Sequence, residues 1–371
     1  MKILAAPQEP AGRSSNLELL RIVSMAMIVL HHYAIYGSAR YSEMHAGIGS
    51  FFFQLLFPLG KIGVSCFVLI SGYFLVDSPF KIERLIRPAV GAWSYSLPVL
   101  LVLAAFGLCP VSGREALLAL FPIVLRQYWF INAYLVMICL SPFTNLLIKS
   151  MDHRQHAWLL ALLFLFFFIP PAHPSPGLDV SSVVWFFVLY LAAAYLKKYP
   201  HPLTTSRRFA AGLAAFSAVL TVALIALANA YFTWRGKVGN PAEFLNEITN
   251  PLVFLDGLSL FLFFLTHPMP THRALNAIAT TMLGVYLIHD HPAIKSVLWN
   301  RLCDGSAYQN TRLFVPHALL CAVGVMTACA AIEYGRRRLI EDPLMAWIQR
   351  HRAALAAFFR QSARRLFMAH T

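Results

Sequence analysis

Apolar residues in this chain come in long runs of about twenty, separated by short polar stretches in which Lys and Arg collect. About twenty apolar residues in a helix rising ~1.5 Å per residue match the roughly 30 Å hydrocarbon core of a bilayer. Ten such runs are readable, at 17–37, 51–75, 88–108, 128–149, 156–170, 181–197, 208–230, 251–267, 276–298 and 313–335. The fifth and eighth are short for a straight span, and Pro170 with Pro171, and Pro251, mark outer-side ends. The pattern predicts an all-α polytopic membrane protein with about ten transmembrane helices. Composition agrees: the 371 residues are 58% hydrophobic and 12% charged. The mean hydropathy is +0.63. That is more apolar surface than one soluble core can hide.

The basic residues set the orientation, because Lys and Arg gather in cytoplasmic loops. The proposed inner segments hold Lys2 and Arg13, then Lys81, Arg84 and Arg87, then Lys149 and Arg154, then Lys197, Lys198, Arg207 and Arg208, then Arg273, and eight more after residue 335. That makes twenty, against eight on the outer side: Arg40, Arg114, Arg126, Arg235, Lys237, Lys295, Arg301 and Arg312. The excess predicts that both termini are cytoplasmic. It also accounts for the net charge of +14 as an orientation signal and an attraction to anionic lipid. A nucleic-acid partner is not expected. The chain divides into a cytoplasmic N-terminal segment (1–16), a membrane domain (17–335) and a basic, partly amphipathic cytoplasmic tail (336–371) suited to the inner leaflet. The first run carries Glu18 and Arg21 with no small-residue cleavage pattern, so an uncleaved first span is expected.

No internal repeat or low-complexity block is visible, which weighs against an inverted-repeat transporter. Cys66, Cys139, Cys321 and Cys329 fall inside runs without CxxC or CxxH spacing, so no metal site is expected; Cys109 and Cys303 share the outer side and could pair.

Ionisable groups within spans are costly in lipid and are functional candidates. Arg21 and His32 stand eleven residues apart in LLRIVSMAMIVLHHY. At about 100° per residue this is three turns plus about 20°, so both lie on one helix face roughly 16 Å apart. His31 is about 80° off that face. The plainer readings are an Arg21 that snorkels to headgroups and a packed, hydrogen-bonded His32. Glu18, three residues before Arg21, can pair with it and orient the guanidinium. Arg84 and Arg87 in KIERLIRP share a face at the inner end of the third run, and forked donors suit phosphate oxygens, although basic residues are common there anyway. With Arg21 they would form a seat for a phosphate-rich cytoplasmic ligand. Lys61, Trp129 and His289 are candidates for an outer, substrate-side vestibule. Their alternatives are snorkelling, an interfacial belt, and a buried ion pair within His289, Asp290 and His291. Ser71 and Gly72 suit close helix packing better than nucleophilic catalysis. Glu333 with Arg336 or Arg337 reads as a helix-end ion pair.

NLELLRIVSMAMIVLHH resembles the first-helix motif of the acyltransferase-3 family of membrane acyltransferases. KIGVSCFVLISGYFL, RLIR, YWFINAYLVMICLSPF and LGVYLIHDHP are similar to the family's later motifs in the same order, and the resemblance covers about 17–345. Glu18 stands where many relatives carry Asp, and Ile22 where the family often has Gly. The resemblance implies transfer of an acyl group, usually acetyl from acetyl-CoA, to a hydroxyl of a glycan or lipid-linked saccharide at the outer face of a bacterial inner membrane. By position, His32 would be the catalytic histidine and Arg21 its partner, oriented by Glu18. Arg84 and Arg87 would hold the coenzyme A end, and no metal would be needed. Without the fused esterase-like domain of some relatives, the membrane domain is expected to acylate its acceptor directly. His32 would serve as general base or as acyl acceptor. Two other function classes fit the same polar residues: a transporter of a glycan, glycolipid or proton-coupled solute, and an accessory subunit of an envelope assembly.

Overall fold

The computed structural model of the protein describes residues 14–168 and 182–351, all helix and loop with no strand among them. Along the chain come α1 (Ser15–Tyr36), α2 (Ile48–Leu75), α3 (Glu83–Ala105), a short α4 (Gly113–Leu120), α5 (Trp129–Ser150) and α6 (His153–Phe168). Then follow α7 (Ser182–Lys198), α8 (Arg207–Arg235) and α9 (Pro251–Thr266). The late part holds α10 (Arg273–Ala279), α11 (Met282–His289), α12 (Pro292–Val297), α13 (Phe314–Arg336) and α14 (Asp342–Arg350). Among the described residues six helices are long and apolar enough to cross a membrane: α1, α2, α3, α5, α8, and α13 taken with its continuation to Arg350. The shorter α6, α7 and α9 cover the fifth, sixth and eighth apolar runs. The expectations for Lys2 and Arg13, for the end at Pro170 and Pro171, and for the tail from 352 lie outside the described residues.

Of these six long helices, α1 and α2 are the most buried. α2 is apolar around its circumference, and 72% of its apolar stretch is covered by protein, against 22% for α8. α1 packs on α2, α9, α10, α11 and α13, while α2 also meets α7 and α9. Lipid provides no hydrophobic drive between helices, so close approach through small residues has to supply the packing. At Gly72, an added Cβ would stand 2.9 Å from Tyr190 Cα on α7. Cys66 Sγ on α2 meets Gly257 O on α9 at 3.6 Å. Outward, Phe143, Val219, Leu227 and Leu320 are each more than 60% exposed. Such apolar belts are ruinous in water and suitable in lipid.

Two expectations are corrected. The ninth run, read as one span at 276–298, is broken into α10, α11, α12 and a π turn at Leu298–Leu302. Pro292 is the first residue of α12, and it forces His291 into an extended conformation (φ −62°, ψ 129°), so α11 ends at His289. Non-helical backbone at membrane depth is tolerable when it is buried in protein, and His289, Asp290 and His291 are at most 3% exposed. Cys109 and Cys303 do not pair: both are free thiols.

Replacing Gly72 by Ala should cost about 1–3 kcal/mol, because the backbone of Tyr190 cannot swing aside as a side chain can. In α13, an added Cβ at Gly324 meets nothing within 4 Å, so Gly324→Ala should leave stability unchanged or raise it. Melting midpoints of the two variants in detergent check this, and a Gly72→Ala midpoint equal to wild type would disprove the close approach.

Candidate active site

Two cavities lie along α1. The larger, about 470 Å³, opens at the end of the bundle where the Lys and Arg distribution places the cytoplasm. Arg21, Arg87, Arg336 and Arg337 line it together with Glu333, Glu341 and Ser71. The smaller, about 70 Å³, is lined by His31, His32, Tyr36, Lys61 and Trp129. Phe67, Phe130 and Leu283 line both, so the cavities share an apolar wall. The rings of Phe67 and Phe130 meet edge to face with centroids 6.3 Å apart. The face of α1 that carries Arg21 and His32 therefore runs from one chamber into the other.

In the arginine chamber the carboxylates come from distant parts of the chain. Arg21 Nη1 donates to Glu18 Oε1 at 2.6 Å, the pair expected from their spacing of three. Arg336 donates from Nε and Nη2 to the two oxygens of Glu333, both at 2.7 Å, as forked donors favour. Its Nη2 also reaches Glu341 Oε2 at 2.5 Å, and Arg87 Nη1 donates to Glu341 Oε1 at 2.7 Å. Tyr95 Oη completes the group by donating to Glu333 Oε2 at 2.7 Å. Glu333 fits here because residue 284 is Gly: a Cβ there would collide with its carboxylate. Arg84 does not line the chamber. It lies in the first turn of α3, about 60° around the helix from Arg87, and its Nη1 reaches Pro79 O at 3.4 Å. Of the three arginines expected together, Arg21 and Arg87 line this chamber, in the company of Arg336 and Arg337. The pairing of Glu333 with Arg336 was legible from sequence, but Glu341 was not. Its segment reads as amphipathic tail, and only the π turn at Arg337–Glu341 carries it back under α3.

In the histidine chamber, His32 Nδ1 lies 2.9 Å from His289 Nε2 and 3.7 Å from Asp290 Oδ1. His289 Nδ1 lies 2.6 Å from Val285 O. Lys295 Nζ, 2.9 Å from Asp290 Oδ1 and 4.2 Å from the centre of the Tyr36 ring, balances that carboxylate. Lys61 Nζ sits 5.9 Å from the centre of the Trp129 ring, so these two vestibule candidates meet beside His32. His31 takes a packing role: its Nδ1 donates to Leu56 O at 3.1 Å, and its ring fills the space left by Gly60. His291 is likewise structural. It accepts from Ala293 N at 3.1 Å to cap α12 and donates from Nε2 to Ser96 O at 2.9 Å. Ser71 Oγ donates to Phe67 O at 2.8 Å, four residues back on its own helix.

The arrangement offers guanidinium groups at one end, an apolar neck, and an imidazole beyond it. Comparison with the curated proteins and with the solved structures finds no match. The model of the acyltransferase-3 family, described as an acyltransferase domain, matches residues 14–334, from the start of α1 almost to the end of α13. This multi-pass membrane chain therefore belongs to the acyltransferase-3 family and is an acyltransferase.

Proposed function

We propose that the protein is an O-acyltransferase of the bacterial inner membrane that moves an acyl group, acetyl in the simplest case, from cytoplasmic acyl-CoA to a hydroxyl of an envelope glycan or lipid-linked saccharide. One observation carries this reading: the arginine chamber and the His32 chamber share a wall at Phe67, Phe130 and Leu283. Coenzyme A is polyanionic and does not enter hydrocarbon, so its phosphates would stop at Arg21, Arg87, Arg336 and Arg337. The thin pantetheine arm would pass the apolar neck. The roughly 16 Å between Arg21 and His32 suits that arm and would bring the thioester beside the imidazole.

His32 then has two routes. As general base it takes the acceptor's hydroxyl proton while that oxygen attacks the thioester carbonyl. The C–S bond breaks, and the thiolate leaves and is reprotonated from the imidazolium. As nucleophile it attacks the thioester carbonyl and the C–S bond breaks with the thiolate leaving; the acceptor oxygen then attacks the acyl carbon, the C–N bond breaks, and the freed imidazole takes the hydroxyl proton. Trp129 offers an apolar ring and Lys61 a cation to the acceptor side of the same chamber.

Protein in nanodiscs, given labelled acetyl-CoA and candidate saccharides or lipid-linked saccharides, should transfer label. His32→Ala should lower kcat by about 10²–10⁴ with coenzyme A affinity retained. Transfer at the wild-type rate by His32→Ala would refute the assignment. At the other end, the donor has to compete with Glu341 for Arg87. Glu341→Gln removes that competitor while Arg336 keeps its two bonds to Glu333, so acetyl-CoA should bind several-fold more tightly. Arg87→Ala should weaken it by about tenfold or more, as expected for losing a charge-assisted hydrogen bond. Titration calorimetry reads both, and unchanged affinity in the pair would remove the arginine chamber as the donor seat.

A further inference from the structure

We infer that His289 is a positioning residue that fixes the proton of His32 on Nδ1 and so makes Nε2 the reacting atom. The argument begins at a backbone carbonyl, which accepts hydrogen bonds and never donates them. His289 Nδ1 lies 2.6 Å from Val285 O, so Nδ1 must carry a proton; with a bare nitrogen there, two sets of lone pairs would face each other in a buried site. A neutral imidazole with its proton on Nδ1 has a bare Nε2. That bare Nε2 lies 2.9 Å from His32 Nδ1, a contact that binds only if His32 Nδ1 donates. Neutral His32 is then left with a bare Nε2 in the chamber it lines, where that atom takes no protein hydrogen bond among the described residues. The direction of each proton follows from one fixed acceptor two rings away.

The ring that performs this task is held rigidly. His289 is fully buried, and its ring meets Trp299 edge to face at 6.2 Å and Tyr286 at 6.3 Å. Of the neighbouring charges, the Asp290 carboxylate faces a proton arriving at His32 Nε2, while the Lys61 and Lys295 cations oppose it. When His32 becomes an imidazolium it keeps donating from Nδ1 to His289, with the Asp290 carboxylate 3.7 Å away to meet the new charge. Lys295, 2.9 Å from Asp290 Oδ1, holds that carboxylate in place. An imidazole oriented by a neighbour through Nδ1 is how histidine bases are commonly held, usually by a carboxylate. Here a second histidine does the orienting and takes its own direction from the backbone. The signal was present in sequence as HDHP, but nothing in the spacing says which ring of the two faces His32.

The catalytic consequence rests on the acyl-transfer reading, whereas the tautomer does not, and two measurements separate them. In protein labelled with ¹⁵N-histidine, with His32→Gln used to assign the resonance, His32 should show a protonated Nδ1 and an unprotonated Nε2. In His289→Leu the proton should redistribute to a mixture of both nitrogens. Kinetically, His289→Leu should lower kcat by about 100-fold, the scale expected of a misplaced catalytic group, with acetyl-CoA affinity unchanged. His289→Gln, whose amide can accept from His32 and donate to Val285 O, should recover most of that loss. A His32 protonated on Nε2 in the wild type would overturn the inference whatever reaction the protein performs. So would His289→Leu with wild-type kcat, or an equal loss in the Leu and Gln variants.

Discussion

Hydrocarbon gives no hydrogen bonds, and that one constraint arranges almost every polar group in this molecule. A serine, histidine or carboxylate within a span must find its partner inside the bundle or face a cavity, because no water is there to take the place of either. The polar side chains of α1 accordingly turn inward and meet groups from α2, α11 and α13. The outer faces of α5, α8 and α13 are left to Phe, Val and Leu. Two chambers follow, because unlike polar groups cluster separately: guanidinium with carboxylate at the inner end, imidazole with imidazole further in.

The two clusters solve the same problem differently. At the inner end four guanidinium groups would repel one another, and Glu18, Glu333 and Glu341 hold them together. Replacing Glu18 or Glu341 leaves a partly buried cation, Arg21 or Arg87, in search of a new anion. The carboxylates thus fix the guanidinium positions in advance. Around His32 the solution is a chain of neutral hydrogen bonds ending on a carbonyl, with one charged pair, Asp290 and Lys295, set beside it. Such a chain orients without bringing a second net charge into the apolar interior.

The break between α11 and α12 links fold to site. A continuous helix through 290–291 would have used its backbone in the ordinary ladder and spread His289, Asp290 and His291 around three directions at about 100° apart. Ending α11 at His289 frees the three side chains for different tasks: one to orient His32, one to hold a charge, one to cap α12 and tie it to α3. Pro292, itself exposed, enforces the break next to three residues that protein covers.

The sequence by itself determined the membrane setting, the helical class and the shared face of Arg21 and His32, because hydropathy and the 100° step are local properties that need no partner. It also carried the pairs at spacing three, Glu18 with Arg21 and Glu333 with Arg336. Tertiary structure decided what one helix cannot encode. It set Arg84 aside, brought Glu341 and Arg337 beside Arg87, and turned His31 into packing against Gly60. It also broke the ninth run and set His289 against His32, 257 residues away in the chain. These outcomes depend on which helices touch, and spacing along one helix gives the direction of a side chain but not what waits there.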